Sequence, residues 1–153
     1  MGKLADVRAA IKTKIGAVAG ITAANVHDYE RFDKDIKGMR EFYEVSGKIN
    51  GWFIRRIRTS ERSPYEGRWI VVSRWRIQGY YSLVDSNATE KTFDDLVEAI
   101  RDAFRTDETL GGIIDSTVEG NEAGIQVEDS GHVILTGVLC HSVRLALNTR
   151  YQE

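Results

Sequence analysis

The chain has 153 residues, 42% apolar and 29% charged, which is typical of a globular protein and excludes a wholly disordered chain. A net charge of −2 argues neither for nor against an anionic partner, and a single cysteine excludes an internal disulfide. The sequence has no apolar run near the roughly 20 residues that a membrane-spanning helix needs. The length favours one domain over residues 1–153. The single cysteine and the lack of a membrane-spanning run make the cytoplasm, or a particle assembled there, the expected location.

The first third of the chain predicts a helix, a short strand and a second helix. Residues 3–18 place Leu, Val and Ile at three- and four-residue steps, which is the stripe of an amphipathic helix. Basic residues interrupt this stretch too often for a signal peptide. Residues 24–30 predict a short strand, and residues 34–45 repeat the helical spacing although Gly38 disfavours a helix there.

The middle of the chain predicts a long β-hairpin. Residues 48–59 and 67–82 are rich in β-branched and aromatic side chains, which favour strands. Between them, the stretch ERSPYEG contains the only proline of the chain and a glycine, a composition typical of a turn. We therefore expect the two strands to pair in antiparallel fashion.

The last part of the chain predicts a helix followed by strands. Residues 85–92 form a loop, and Thr92 with Asp95 resembles a capping box that starts a helix ending near residue 105. Residues 113–119, 123–129 and 132–149 are strand-like, the last with a bend at Gly137. This order predicts an α+β fold: a mixed, mainly antiparallel sheet with a long β-hairpin and two or three helices packed on one face.

The sequence contains no recognisable arrangement for chemistry. His27, His132 and His141 lack zinc-site spacing. Cys140 and His141 are neighbours on a predicted strand, so they point to opposite faces and do not form a thiolate–imidazole pair. The GxSxG motif and the glycine fingerprints of nucleotide sites are absent. We therefore expect no enzyme activity, no catalytic residue, no metal and no cofactor.

The predicted hairpin is the strongest candidate for a functional surface. Residues 52–78 contain seven arginines and two acids, whereas residues 84–129 contain thirteen acids and three basic residues. Trp, Tyr and Arg are enriched where proteins meet partners. The candidate subunit or partner interface residues are Trp52, Arg56, Arg58, Arg74, Trp75 and Arg76.

Three interpretations of this surface remain open from the residues alone. It is a self-association or protein-partner surface, a solvated sheet whose arginines pair with local acids, or a nucleic-acid surface with stacking aromatics. The spaced aromatics of the RNA-recognition motif are absent. A nucleic-acid partner is therefore the weakest of the three.

Several segments together resemble the tail-terminator and tail-completion proteins of long-tailed bacteriophages, such as the lambda-like minor tail proteins. They are the amphipathic N-terminal helix, KINGWFIRRIRTS, WRIQGYYSLVDSNATEKTFDDLVEAIRDAF, TLGGIID and VILTGVLCHSVRLAL. The resemblance implies an α+β subunit of a ring, typically a hexamer, that caps the tail tube and stops its polymerisation. It also implies that the ring presents a surface to the head connector, that the protein has no catalytic residues or cofactor, and that it is assembled into the virion in the host cytoplasm.

Within this resemblance, the expected partners are other copies of the chain, the tail tube protein and head-connector proteins, without a membrane or a small-molecule substrate. We hypothesise that Arg56, Arg58, Arg74 and Arg76 meet acids of the next subunit, from residues 84–129. Residues 31–51 are longer than a minimal terminator needs. A head–tail connector or neck protein of the same assembly is therefore one alternative. The basic hairpin leaves a second alternative, a nucleic-acid-binding module.

Overall fold

The computed structural model describes residues 3–153, so residues 1 and 2 of the predicted domain lie outside the described range. The helices are α1 (Lys3–Gly16), α2 (Ile36–Glu41) and α3 (Thr89–Arg105). The strands are β1 (Val26–His27), β2 (Glu44–Val45), β3 (Lys48–Tyr65), β4 (Arg68–Ser82), β5 (Val118–Glu119), β6 (Glu122–Ala123), β7 (Ile125–Leu135) and β8 (Val138–Gln152).

The larger sheet has the strand order β1-β3-β4-β8-β7, and β2 pairs with β3 beside this path. All of its pairs are antiparallel except β1 with β3, and β5 pairs with β6 in a separate two-stranded hairpin. This confirms the predicted α+β class with a mixed, mainly antiparallel sheet. The long hairpin is also confirmed, since β3 and β4 pair from Asn50↔Tyr81 to Tyr65↔Arg68.

The C-terminal strands form a second hairpin that the sequence did not predict. Residues 132–149 were expected to be one strand with a bend at Gly137, and this is wrong. The chain reverses at Thr136 and Gly137, whose φ angles are 52° and 80°. Both values are in the left-handed region, which suits a tight turn between paired strands.

Helices α1 and α3 cover one face of the sheet. The apolar stripe of α1 buries Val7, Ile11 and Ile15, as its three- and four-residue spacing predicted. The stripe of α3 buries more residues against the same face: Phe93, Leu96, Val97, Ile100 and Phe104. The main core therefore lies between two helices and the alternate, inward-facing residues of β3, β4 and β8, and the prediction of two helices on one face is confirmed.

A smaller cluster lies on the opposite face, near the β7–β8 turn. Tyr43, Ile49, Phe53 and Cys140 are buried there, under α2 and the chain that follows it. The helix predicted over 34–45 is shorter than expected, because the chain leaves α2 after Glu41 and forms β2. The strand predicted over 24–30 is reduced to the two residues of β1.

Two further local predictions are wrong. Helix α3 begins at Thr89, so Thr92 lies inside the helix and its backbone NH donates to the carbonyl of Ala88 at 3.4 Å. The predicted capping box therefore does not start the helix. Residues 113–119 were expected to be a strand, but only β5 at 118–119 is one, because a turn with positive φ at Leu110, Gly111 and Gly112 precedes it.

Candidate protein interface

The two tryptophans predicted at the interface lie in the main core. Trp52 and Trp75 are both 0% exposed. The ring of Trp52 stacks on Phe93 at 5.8 Å between ring centroids, and the indole NH of Trp75 donates to Oγ1 of Thr149 at 2.9 Å. Fully buried side chains do not contact a partner, so the prediction for these two residues is wrong. Both point to the face that α1 and α3 cover, which their spacing alone did not reveal.

Arg74 lies on the opposite face and binds acids of its own chain. Its guanidinium contacts Glu122 at 3.0 Å and Glu128 at 3.4 Å, and it donates to Oδ1 of Asn148 at 3.3 Å. The hydrogen bond from Arg74 lowers the pKa of Glu122 below its ordinary value. Arg74 therefore fastens the small β5–β6 hairpin to the sheet. These acids belong to its own residues 84–129, and the hypothesis that Arg74 also meets acids of the next subunit stays a prediction.

Arg76 lies directly opposite Arg55 in the register of β3 and β4. Like charges opposite each other in a sheet are destabilising, and Arg55 relieves this by pairing with Glu30 at 3.3 Å. Arg76 is half-buried, and its Nε is buried without a hydrogen-bond partner within residues 3–153. Its predicted role toward a partner stays a prediction.

Arg56 and Arg58 are exposed on the outer half of β3. A register shift separates them, with Arg56 opposite Trp75 and Arg58 opposite Arg74, so the two side chains point to different faces. Within residues 3–153, neither forms a salt bridge, in contrast to Arg55 and Arg74. Of the six predicted interface residues, these two are therefore the ones most accessible to a partner.

We define the arm as residues 55–69, the outer half of β3, the turn and the start of β4. Every residue from 55 to 67 is exposed. The outer edge of β3 has no neighbouring strand here, since β1 pairs only with Trp52 and Phe53. The turn at Gly67, with a φ of 82°, closes the arm.

The tip of the arm carries two exposed aromatic side chains that the candidate set omitted. Tyr65 is 59% exposed and Trp69 is 50% exposed. Trp69 lies on the face of β4 that the helices cover further along the strand, and Tyr65 pairs with Arg68, so it lies on the other face. Arg68 also lies over the Tyr65 ring, at 5.3 Å from the centroid. Their position beside the predicted turn is the feature of the sequence that could have indicated their exposure, because a strand end near a turn can extend beyond the helices that cover the sheet.

A groove between α1 and α3 has a volume of about 1090 Å³. Alanines of both helices line its walls, together with Val18, Leu110 and Ile113. Lys14 also lines it, with its Nζ 3.1 Å from a carboxylate oxygen of Asp107. The sequence did not predict this groove, because helical spacing indicates only the stripe of each helix that faces the sheet.

Two ionisable side chains of β8, His141 and Cys140, are buried, and His141 contacts a hydroxyl group. Nε2 of His141 lies 2.8 Å from Oγ1 of Thr89, and the ring stacks near Phe93. Burial, and next to it the charge of His132, lowers the pKa of His141. Burial raises the pKa of the Cys140 thiol. Among residues 3–153, no cluster of three His, Cys, Asp or Glu side chains has the arrangement of a metal site.

Within the described range, none of the helices has the length and apolar character needed to cross a membrane. Comparison with protein-family models gives no match to this chain. Comparison with curated proteins also gives no match.

Proposed function

We propose that this chain is a structural virion protein whose copies form a ring that caps a bacteriophage tail tube, ends its polymerisation and provides the head–tail joining surface. The observation that carries the self-association is the arm. It combines fifteen residues in a row that are at most half-buried, an unpaired strand edge and two exposed aromatic side chains. The phage role comes from the resemblance of the segment order.

The arm suits contact with another polypeptide. Aromatic side chains supply large contact area, and the arginines beside them supply hydrogen-bond donors. Residues 55–69 hold five arginines and two glutamates, whereas residues 106–129 hold seven acids and no lysine or arginine. Complementary charge of this kind steers two copies into one orientation. A basic patch and an acidic patch on one chain favour head-to-side contact, which gives a ring when the rotation closes.

Electron microscopy of the concentrated protein tests the proposal. We expect closed rings, with six copies as the resemblance implies. The double variant Tyr65→Ser/Trp69→Ser removes both exposed aromatics from the arm and should give single particles. The matched control is Tyr29→Ser/Phe32→Ser, which removes two aromatics outside the arm that are 53% and 73% exposed, and should keep the rings.

The alternative, a nucleic-acid-binding module, makes the opposite prediction. Phosphate contacts make affinity fall steeply as salt increases. Tight, salt-sensitive binding of duplex or single-stranded DNA, together with an absence of rings at high protein concentration, would replace the proposal. A ring that binds head-connector proteins but leaves tube growth unchanged would instead identify a neck protein.

A further inference from the structure

We propose that the tip of the arm docks into the groove between α1 and α3 of a second copy of the chain. This inference rests on the proposed self-association and names the two surfaces that meet. In its own chain the arm stays outside the groove, because no residue of 55–69 lines it. The contact is therefore between different surfaces of two copies, which leaves each copy with one arm and one groove to use.

The groove exists because the large apolar side chains of α1 and α3 pack against the sheet. Small residues remain where the two helices face each other, among them Ala9 and Ala10 of α1 and Ala99 and Ala103 of α3. The space between the helices stays open and its walls are apolar. A groove of this size with apolar walls is suited to large apolar side chains from outside.

The tip of the arm has the complementary shape and chemistry. Trp69 and Tyr65 lie on opposite faces of the tip, where the backbone of Trp69 also pairs with Glu153. An inserted tip would therefore place one aromatic ring against each helix. Both rings are at least half-exposed in the isolated chain. Their transfer from water to the apolar walls is the main favourable contribution to docking.

Charge favours a basic tip at the groove. Its lining holds three acids, Asp6, Asp102 and Asp107, and two lysines, Lys3 and Lys14, and the chain continues from it through the acid-rich residues 106–129. In the described part of the chain, neither Asp6 nor Glu108 has a salt-bridge partner. The arginines of the arm carry the opposite charge, including Arg62 and Arg68 beside the tip. Insertion of the tip brings these groups together at the groove, where they remain partly solvated.

Two complementary variants test the docking. Tyr65→Ser/Trp69→Ser removes the aromatic tip but leaves the groove, and Ala9→Phe fills the groove but leaves the arm. Each variant alone should stay at the chain mass of 17.2 kDa in light scattering. An equimolar mixture should form a complex of twice that mass and grow no further, because only one competent arm and one competent groove remain in each pair.

Matched controls separate docking from folding. Ala24→Phe adds the same side chain at an exposed position outside the groove, and Tyr29→Ser/Phe32→Ser removes two exposed aromatics outside residues 55–69. Both should assemble as the wild-type chain does. All variants should keep the circular dichroism spectrum of the wild-type protein, since the altered side chains are exposed.

The outcomes also separate this inference from the proposed function. If rings form and Ala9→Phe still assembles, the groove is not the docking site and the inference is overturned while the ring proposal stands. If the wild-type chain is monomeric even at about 1 mM, or if the mixture of variants gives no complex, docking between copies is overturned. An arm variant that assembles normally but no longer binds tail tubes would assign the tip to the tube protein instead.

Discussion

Gly79 on β4 faces the ring of Trp52 at a distance that leaves no room for a side chain. A Cβ atom added at Gly79 would lie 2.2 Å from Cζ3 and 2.4 Å from Cε3 of Trp52. Carbon atoms that are not bonded approach to about 3.5–4.0 Å. The variant Gly79→Ala therefore requires a displacement of more than about 1 Å in the strand or the ring.

The ring of Trp52 has little freedom to move. It is 0% exposed, it stacks on Phe93, and its indole NH donates to Oδ1 of Asn50 at 3.2 Å. Extra carbon in a packed core costs about 1–3 kcal/mol, and a large, fixed neighbour favours the upper end. The smaller entropy of an unfolded alanine offsets about 0.4–1 kcal/mol. We expect Gly79→Ala to lower the free energy of unfolding by about 2 kcal/mol.

Urea unfolding followed by tryptophan fluorescence measures this change. With a slope of about 2 kcal/mol per molar urea, the midpoint should fall by about 1 M at constant slope. The matched control is Gly131→Ala on β7, where an added Cβ has no atom within 4 Å. The free energy of unfolding of Gly131→Ala should be unchanged or higher by up to about 1 kcal/mol.

The same substitution in the Trp52→Phe variant tests whether contact with the Trp52 ring causes the loss of stability. In Trp52→Phe, the smaller ring leaves space beside Gly79, so Gly79→Ala should cost at least about 1 kcal/mol less than in the wild-type chain. If Gly79→Ala is as stable as Gly131→Ala, or if its cost is the same beside phenylalanine, the close contact with Trp52 does not limit this position.

Three further predictions concern polar groups of the sheet. Trp75→Phe leaves the buried hydroxyl of Thr149 without its 2.9 Å partner and should cost about 1–3 kcal/mol in urea unfolding, beyond the loss of ring volume; a cost below about 0.5 kcal/mol would contradict this. Arg74→Met should cost about 1 kcal/mol at pH 7, because its ion pairs are partly solvated. Since Arg74 lowers the pKa of Glu122, this difference should be present above the ordinary pKa of glutamate and vanish as pH falls through the lowered value; a difference that persists at pH 2 would assign it to packing. Burial lowers the pKa of His141, so its contribution to stability is complete above about pH 6.5 and declines below it, and NMR titration should give a midpoint below 6.5. A midpoint at or above 6.5 would refute that burial.

Periodicity predicted the elements that bury one face. Helix α3 shows this best, because Phe93, Val97, Ile100 and Phe104 repeat at helical spacing and all are buried. The same is true of the alternation in β4, where Val71, Ser73, Trp75 and Ile77 share the inner face. A single face and a regular repeat are enough for such predictions.

Alternation failed where both faces of a strand are covered. Around Phe53 on β3 the helices lie on one side and the chain after α2 on the other, so neighbouring residues Trp52, Phe53 and Ile54 are all buried. The apolar residues then show no contrast between faces. The sequence indicated that Trp52 and Trp75 are important, but it did not distinguish a core position from an exposed one.

Other features that the sequence did not reveal depend on contacts distant in sequence. Arg74 pairs with Glu122 and Glu128, about fifty positions away, and local charge counts do not reveal such pairs. The groove between α1 and α3 depends on how two helices rest on one sheet. The arm was visible as a turn after Pro64, but its exposure follows from the ends of the helices, which sequence patterns fix poorly.

From the position of β8 between β4 and β7 we expect an order in which the sheet forms. The hairpins β3–β4 and β7–β8 join neighbouring segments, and such hairpins form within microseconds. The pairing of β4 with β8 joins Ile70 to Gln152 and Ser82 to Cys140, which are far apart in the chain. Because so long a loop must close before its contacts are gained, we expect the pairing of β4 with β8 to be the slow step of folding. Until β4 and β8 pair, each hairpin presents an unpaired strand edge. The protein is therefore most prone to misassembly during this interval.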